Sequence, residues 1–223
     1  MSIKVIAADS HPVTALGIET VLRQCSGVTV IGILRSAIEI SSLAATNAFN
    51  VIVMDKEAAS KCIGGTTIPL IKLILDEFPG VGVVLHSCAR NAAYVATLSQ
   101  LGVHAMLDED DVIMHLHVAI RVANARANYI SPKLAEMSVI EPLISGDVRP
   151  LSRCEIHVIR SVLSGHSVKE ISLTRFRSKQ TISTHKKNAM RKLQVTSDAE
   201  LFRAFSEDDF VLVELTCADN SRN

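Results

Sequence analysis

The sequence predicts two units of different class: an α/β doubly wound five-stranded parallel sheet in residues 1–127, and an all-α four-helix helix-turn-helix unit in residues 150–205. Three observations predict them. Short Val- and Ile-rich runs alternate with helical stretches through residues 1–127, the pattern of buried parallel strands joined by helices. Four serines in 150–205 sit where helix N-caps belong, three with Glu three residues later, and so mark four short helices. Residues 150–205 also hold 11 Lys/Arg against 4 Asp/Glu, a net of +7, which leaves −7 on the rest of a neutral chain.

Strands are expected at Ile3–Ala8, Val28–Ile31, Val51–Met54, Val81–Leu85 and Ala105–Leu107. Helices are expected near 13–24, 36–47, 66–77, 90–101 and 111–127, with right-handed crossovers between parallel strands. Ligands of such sheets sit beyond the carboxyl ends of strands. Asp9 follows the first strand, Asp55 the third and Ser87 the fourth. Residues 128–149 read as a linker, with a helix from Ser131-Pro132 towards Ile144 that Ser145-Gly146-Asp147 breaks. The tail 206–223 carries five acids against Arg222 alone.

In the C-terminal unit, Ser152/Glu155, Ser167/Glu170 and Ser197/Glu200 read as capping boxes, and Ser178 as a further cap. They place helices at 153–163, 168–174, 179–193 and 198–205, with Gly165 in the first turn. In Ser178 to Leu193, Ile182, Ala189, Met190 and Leu193 form an apolar stripe at helical spacing. Away from it lie Gln180, Ser183, Thr184, Lys187 and Arg191, with Lys179 and Lys186 at its edges and Thr181 as a further candidate DNA contact. Their donors suit phosphates and base edges, and concentrated positive charge points to a polyanion such as double-stranded DNA.

LSRCEIHVIRSVLSGHSVKEI followed by SKQTISTHKKNAMRKLQV resembles the DNA-binding domain of LuxR/NarL-type regulators. Leu151, Glu155, Val158, Gly165, Lys169, Glu170, Ile171, Ser178, Thr181, Ile182, His185, Lys192, Leu193 and Val195 match its pattern. The run TIS-x-x-KK-x-AM-x-KL resembles the Rcs phosphorelay regulators in particular. Residues 1–127 likewise resemble the receiver domain of response regulators. ADSHP matches the family's ADDHP run, Asp55 its phospho-accepting aspartate, and Ser87 the hydroxyl that contacts the phosphoryl group. The resemblance implies carboxylate attack on a phosphoryl group, helped by Mg²⁺ and a lysine.

The receiver-like half departs from that pattern. Ser10 stands where a second metal-binding acid usually is, and Asp108 where the lysine usually is. After Asp55 the chain runs KEAASKCIGG, where the family has a Met-Pro-Gly turn. Asp9 and Asp55 alone make a weak Mg²⁺ site, so no cofactor is expected to be required. A carboxylate in place of lysine opposes a dianion; at an effective dielectric near 20, two unit charges about 4 Å apart interact by ~4 kcal/mol. Lys56 is expected to point away from the pocket, because adjacent strand residues alternate. The expectation is a degenerate receiver with Asp55 vestigial as phosphoacceptor.

No apolar run reaches the ~18 residues of a membrane span, and a β-like run follows Lys4 rather than a signal peptide, so a cytoplasmic chain is expected. Cys25, Cys62, Cys88, Cys154 and Cys217 show no paired spacing, which argues for reduced thiols and against a cysteine zinc site. His115 and His117 point apart on a helix. The reading that follows is a DNA-binding transcription regulator, dimeric on paired half-sites as the resemblance implies. Two alternatives stand within the family: an auxiliary heterodimer partner of a related regulator, and a conventional phosphorelay regulator modified on Asp55. One lies outside it: an aspartyl-phosphate enzyme with Asp55 as nucleophile and Glu57 as second carboxylate.

Overall fold

The computed structural model describes residues 2–9, 11–34, 49–60, 70–136 and 151–205. The helix expected at 36–47, Ser10, the linker beyond Glu136 and the tail 206–223 lie outside them. Two compact units form: 1–88 with 102–136, and 89–101 with 137–223.

The first unit is built on a parallel sheet of β1 (Ile3–Ala8), β2 (Val28–Leu34), β3 (Val51–Asp55), β4 (Gly82–His86), β5 (Ala105–Met106) and β6 (Tyr129–Ile130). The strand order is β2-β1-β3-β4-β5-β6. The sixth strand was not expected: Tyr129 and Ile130 pair with Ala105 and Met106, and two residues carry no periodicity to read. Val5, Ala7, Val53 and Val84 on the sheet pack against Leu116 and Ile120 in one core.

Around the sheet lie α1 (Pro12–Gln24), α2 (Lys56–Ser60) and α3 (Leu70–Glu77). A 3₁₀ turn (Glu109–Asp111) leads into α5 (Val112–Asn124), and α6 (Pro132–Ala135) follows β6. Gly82 lets β4 and α5 approach: a Cβ there would lie 2.5 Å from the Ala123 carbonyl oxygen. The order reverses at β1 and β3, so their carboxyl ends open a crevice where Asp9 and Asp55 stand.

The second unit gathers α4 (Ala92–Gln100) with α7 (Arg153–Leu163), α8 (Val168–Thr174), α9 (Lys179–Lys192) and α10 (Asp198–Ala204). The sequence assigned α4 to the first unit by its place in the βα alternation. Its contacts are tertiary: the Asn91 side chain donates to the Leu193 carbonyl at 2.7 Å, the Leu151 amide to Thr97 Oγ1 at 3.3 Å, and Tyr94 lies 6.1 Å from Phe205, ring to ring. Ala92 to Leu98 are buried without a break.

The caps explain the helix boundaries. Ser152 with Glu155 and Ser167 with Glu170 form complete capping boxes, and Ser178 accepts from the Thr181 amide at 3.1 Å. The third box is only half formed: Ser197 caps Glu200, but the Glu200 carboxylate takes the Thr196 amide and hydroxyl, at 2.6 and 2.7 Å. Gly165, at φ +86°, turns the chain between α7 and α8 in the left-handed conformation that glycine adopts without a Cβ penalty.

Candidate functional site

Two sites emerge, one in each unit. In the first, a cavity of about 500 Å³ is lined by Asp9, His11, Asp55, Lys56, His86 and Ser87, among others. Asp9 and Asp55 are buried at the ends of β1 and β3. Asp9 Oδ1 accepts the His11 amide at 2.7 Å, and Asp55 Oδ1 accepts the Ala58 amide at 2.8 Å, capping α2. His11 Nδ1 stands 3.8 Å from Asp9 Oδ1 and 3.9 Å from Asp55 Oδ2.

Several sequence expectations change here. Lys56 does line the cavity. Strand alternation stops at Asp55 because α2 begins at Lys56, and a helix turns successive residues by 100° rather than 180°. Sequence reasoning missed His86. Strand pairing sets it opposite Asp55, so it shares that residue's face of the sheet, and Ser87 falls just past the strand. The register of β4 against β3 was the signal that would have found it. His86 is 1% exposed; its Nε2 lies 3.2 Å from Asp9 Oδ2 but off hydrogen-bond alignment, and neither atom has another partner among the described residues. His86 Nδ1 meets Ser87 Oγ at 3.2 Å. Ser87 holds a left-handed φ of +58°, a conformation that costs a non-glycine residue roughly 1–2 kcal/mol.

Asp108 does not line the cavity; Glu109 does. Asp108 is buried, its carboxylate accepts the Asp110 amide at 3.1 Å and its own amide donates to Ser131 Oγ at 3.0 Å. It caps the 3₁₀ turn rather than adding charge to the pocket, so the expected repulsion does not come from Asp108; Glu109 brings a carboxylate to the lining instead, and the lysine is still missing from that position. Burial pushes the Asp9 carboxyl up, but His86, the His11 amide and the charge of both imidazoles outweigh it and leave Asp9 below its ordinary value. Among the described residues, Asp9, His11 and Asp55 form a three-residue group whose ligand atoms lie within 4.8 Å of one another.

The second site is α9 and its surroundings. Ile182 and Ala189, with Leu193 just past the helix, face the core. Lys179, Gln180, Thr181, Thr184, Lys187 and Arg191 are exposed, and Ser183 is half-buried. Lys186 departs from expectation: it is 18% exposed, and its Nζ pairs with Asp198 at 2.7 Å. It ties α9 to α10. Thr181 turns towards another surface, where its hydroxyl meets Ser178 Oγ at 2.9 Å. There a cavity of about 700 Å³ is lined by Arg153, Arg160, Arg175, Arg177, His157 and His185, beside Thr181 itself. The sequence reading counted these arginines in its net charge without seeing that folding gathers them.

Beneath the basic face, Lys192 Nζ reaches the buried Glu155 at 2.6 Å. Burial raises the Glu155 carboxyl, but Lys192 and the Ser152 amide and hydroxyl overcome this and hold it below its ordinary value. On the outer turn, Ser167 holds Glu170 below its ordinary value by hydrogen bonds to its carboxylate. Glu170→Ala removes half of that box, so its thermal melt is expected below the parent's. A variant that melts with the parent would mean the box forms only weakly in solution.

The family model "Bacterial regulatory proteins, luxR family" matches residues 149–205. Response regulator GacA of Pseudomonas aeruginosa is 26% identical over 203 residues, covering 89% of this chain and 93% of GacA. Transcriptional regulatory protein RcsB of Escherichia coli is 28% identical over 208 residues, covering 92% of this chain and 94% of RcsB. Among solved structures, RcsB of Salmonella enterica serovar Typhimurium, bound to a promoter in the presence of the phosphomimetic BeF3⁻, aligns at TM-score 0.67 and 26% identity over 93% of this chain and 99% of that one. An RcsB–DNA complex aligns at 0.65 and 25% over 92% and 98%. Among the described residues no helix is long and apolar enough to cross a membrane. Residues 149–205 match the model of the luxR family of bacterial regulatory proteins, and over about nine-tenths of its length the chain is similar to response regulators of the RcsB and GacA kind.

Proposed function

We propose that the protein is a cytoplasmic transcription regulator that binds double-stranded DNA through α9. The single observation that carries this reading is the exposed row of Lys179, Gln180, Thr184, Lys187 and Arg191 on a helix whose other side is buried. Such a helix, preceded by a tight turn and a shorter helix, is what enters a major groove. The similarity to RcsB, which has been solved on DNA, supports it. Fluorescence anisotropy of the full chain on pooled promoter fragments, followed by selection of bound sequences, tests it. Recovery of paired half-sites is the expected result. No binding at low salt would instead favour the auxiliary role, in which the chain modulates a related regulator by pairing with it.

Association as a homodimer is part of this proposal. Residues 92–98 are buried, which leaves α5 and α1 as the exposed helices of the first unit's α1–α5 side. Ile113 and Met114 on α5, and Val13 and Leu16 on α1, are large apolar side chains left exposed, and the two helices pack on one another. Patches of this kind mark association surfaces.

Control without aspartate phosphorylation also belongs to the proposal. The buried imidazole of His86 stands opposite Asp55, sharing the cavity with Ser87, and Asp108 offers no cation. Lys56 at the cavity is the feature that favours the conventional reading. Treatment with acetyl phosphate and Mg²⁺, read by intact mass, decides between them. Little adduct is expected, and Asp55→Asn should leave DNA affinity unchanged. Stoichiometric phosphate with a matching rise in affinity would overturn this part. The enzymatic alternative draws on Glu57, whose side chain lies outside the described residues, and no observation favours it.

A further inference from the structure

The cavity at the ends of β1 and β3 is where a receiver would hold Mg²⁺, and its donors do not fit that ion. Mg²⁺ takes hard oxygens in near-ideal octahedral geometry. Here the sequence supplies serine at position 10, and folding brings two imidazoles, His11 and His86, to the two carboxylates. Imidazole with carboxylate suits the borderline divalent transition ions, Zn²⁺ among them.

The geometry carries this further than the composition. Ligands at roughly 2.0–2.1 Å from a tetrahedral ion lie about 3.3 Å from one another. His86 Nε2 and Asp9 Oδ2 are 3.2 Å apart, both buried, and neither has a hydrogen-bond partner among the described residues. A buried imidazole nitrogen and a buried carboxylate oxygen left out of hydrogen-bond alignment are costly; a metal ion between them would satisfy both. Ser87 Oγ, 3.2 Å from His86 Nδ1, is placed to take the Nδ1 proton and so leave the lone pair on Nε2, as outer-shell partners of histidine ligands do. His11, whose side chain is 65% exposed and whose Nδ1 stands 3.8–3.9 Å from the carboxylates, can close the last few tenths of an ångström by rotation.

We propose that this cavity binds one divalent transition-metal ion of the Zn²⁺ class held by Asp9, His11 and Asp55, whose ligand atoms lie within 4.8 Å of one another, with His86 supporting it from beside Asp9. The proposal does not depend on the DNA-binding reading, because it concerns the first unit alone.

The test uses the full chain, stripped with a chelator and titrated with Co²⁺ as a visible probe, in a Cys154→Ser background that removes the one exposed thiol among the described cysteines. One Co²⁺ per chain is expected, with ligand-field bands of a four- or five-coordinate site, displaced by Zn²⁺ and not by millimolar Mg²⁺. His11→Ala is expected to weaken binding by more than the roughly 10-fold that loss of an outer-shell partner costs, and His86→Asn by at least that much. Retained affinity in both variants, or displacement of Co²⁺ by Mg²⁺, would overturn the proposal. Should His86→Asn fail to fold, His11→Ala decides alone, since that exposed side chain supports no core packing.

Discussion

Replacing Lys179 and Lys187 together by Ala is expected to cut the salt dependence of DNA binding by about two counterions, while replacing Lys186 leaves it unchanged. Each Lys set against a phosphate releases a counterion, and the slope of log K against log salt is about −0.9 per contact on B-DNA. Lys179 and Lys187 are exposed on the outer side of α9, so both are placed for phosphates. Lys186 is next in sequence to Lys187 yet serves another purpose, because its ammonium is held by Asp198 across α10 at 2.7 Å. With Asp198 half exposed, that pair is worth about 0.2–1 kcal/mol of stability. Lys186→Ala should therefore lower the melting temperature slightly and spare the salt slope. Equal slopes for all three proteins would move the DNA surface off this face. A steep loss in Lys186→Ala alone would mean the pair opens when DNA binds. The cavity beside Thr181, with its four arginines, is the alternative location.

Lys186 shows why part of the site was illegible in the sequence. Its spacing puts it at the edge of the basic face, and its partner lies 12 residues on in another helix. Local pattern records which way a side chain points but not what waits there. The same limit hid the gathering of arginines from α7 and the turn into one cavity. In the first unit the strand ends were legible because Asp9 and Asp55 follow unbroken apolar runs. His86 was not, since the motif marks Ser87 alone, while the register of β4 against β3 brings His86 to the same cavity beside it. Lys56 was misplaced by assuming that the strand continued, and Asp108 by assuming that a residue at a ligand's position must face the ligand. The caps, by contrast, were read almost without error. Capping is a local interaction over three residues, and only Glu200 found a different amide, that of Thr196.

Glu155→Ala is expected to destabilise the C-terminal unit by about 2–4 kcal/mol, more than any other single change proposed. Glu155 does two jobs with one carboxylate. It completes the box at the start of α7 by accepting the Ser152 amide at 2.7 Å, which contributes about 1 kcal/mol. It also pairs with Lys192 at 2.6 Å, joining α7 to the last turn of α9. Removing one partner of a buried pair strands the other; Lys192 keeps some solvent contact, so the loss falls short of the ~3–5 kcal/mol of a fully buried pair. Glu155→Gln separates the two jobs, because the amide can still accept from Ser152 while its charge is gone. It should fall between parent and Ala. The pH dependence has a fixed sign. With its folded carboxyl below the ordinary value of 4.5, Glu155 contributes full stability above that value, and the contribution fades as pH drops through the lower folded value. Urea midpoints of the full chain at neutral pH and near pH 3 test this: the gap between parent and Glu155→Gln should be wide at neutral pH and narrow in acid. A gap that persists undiminished at pH 3 would mean that shape, and not the charge on Glu155, holds α7 to α9.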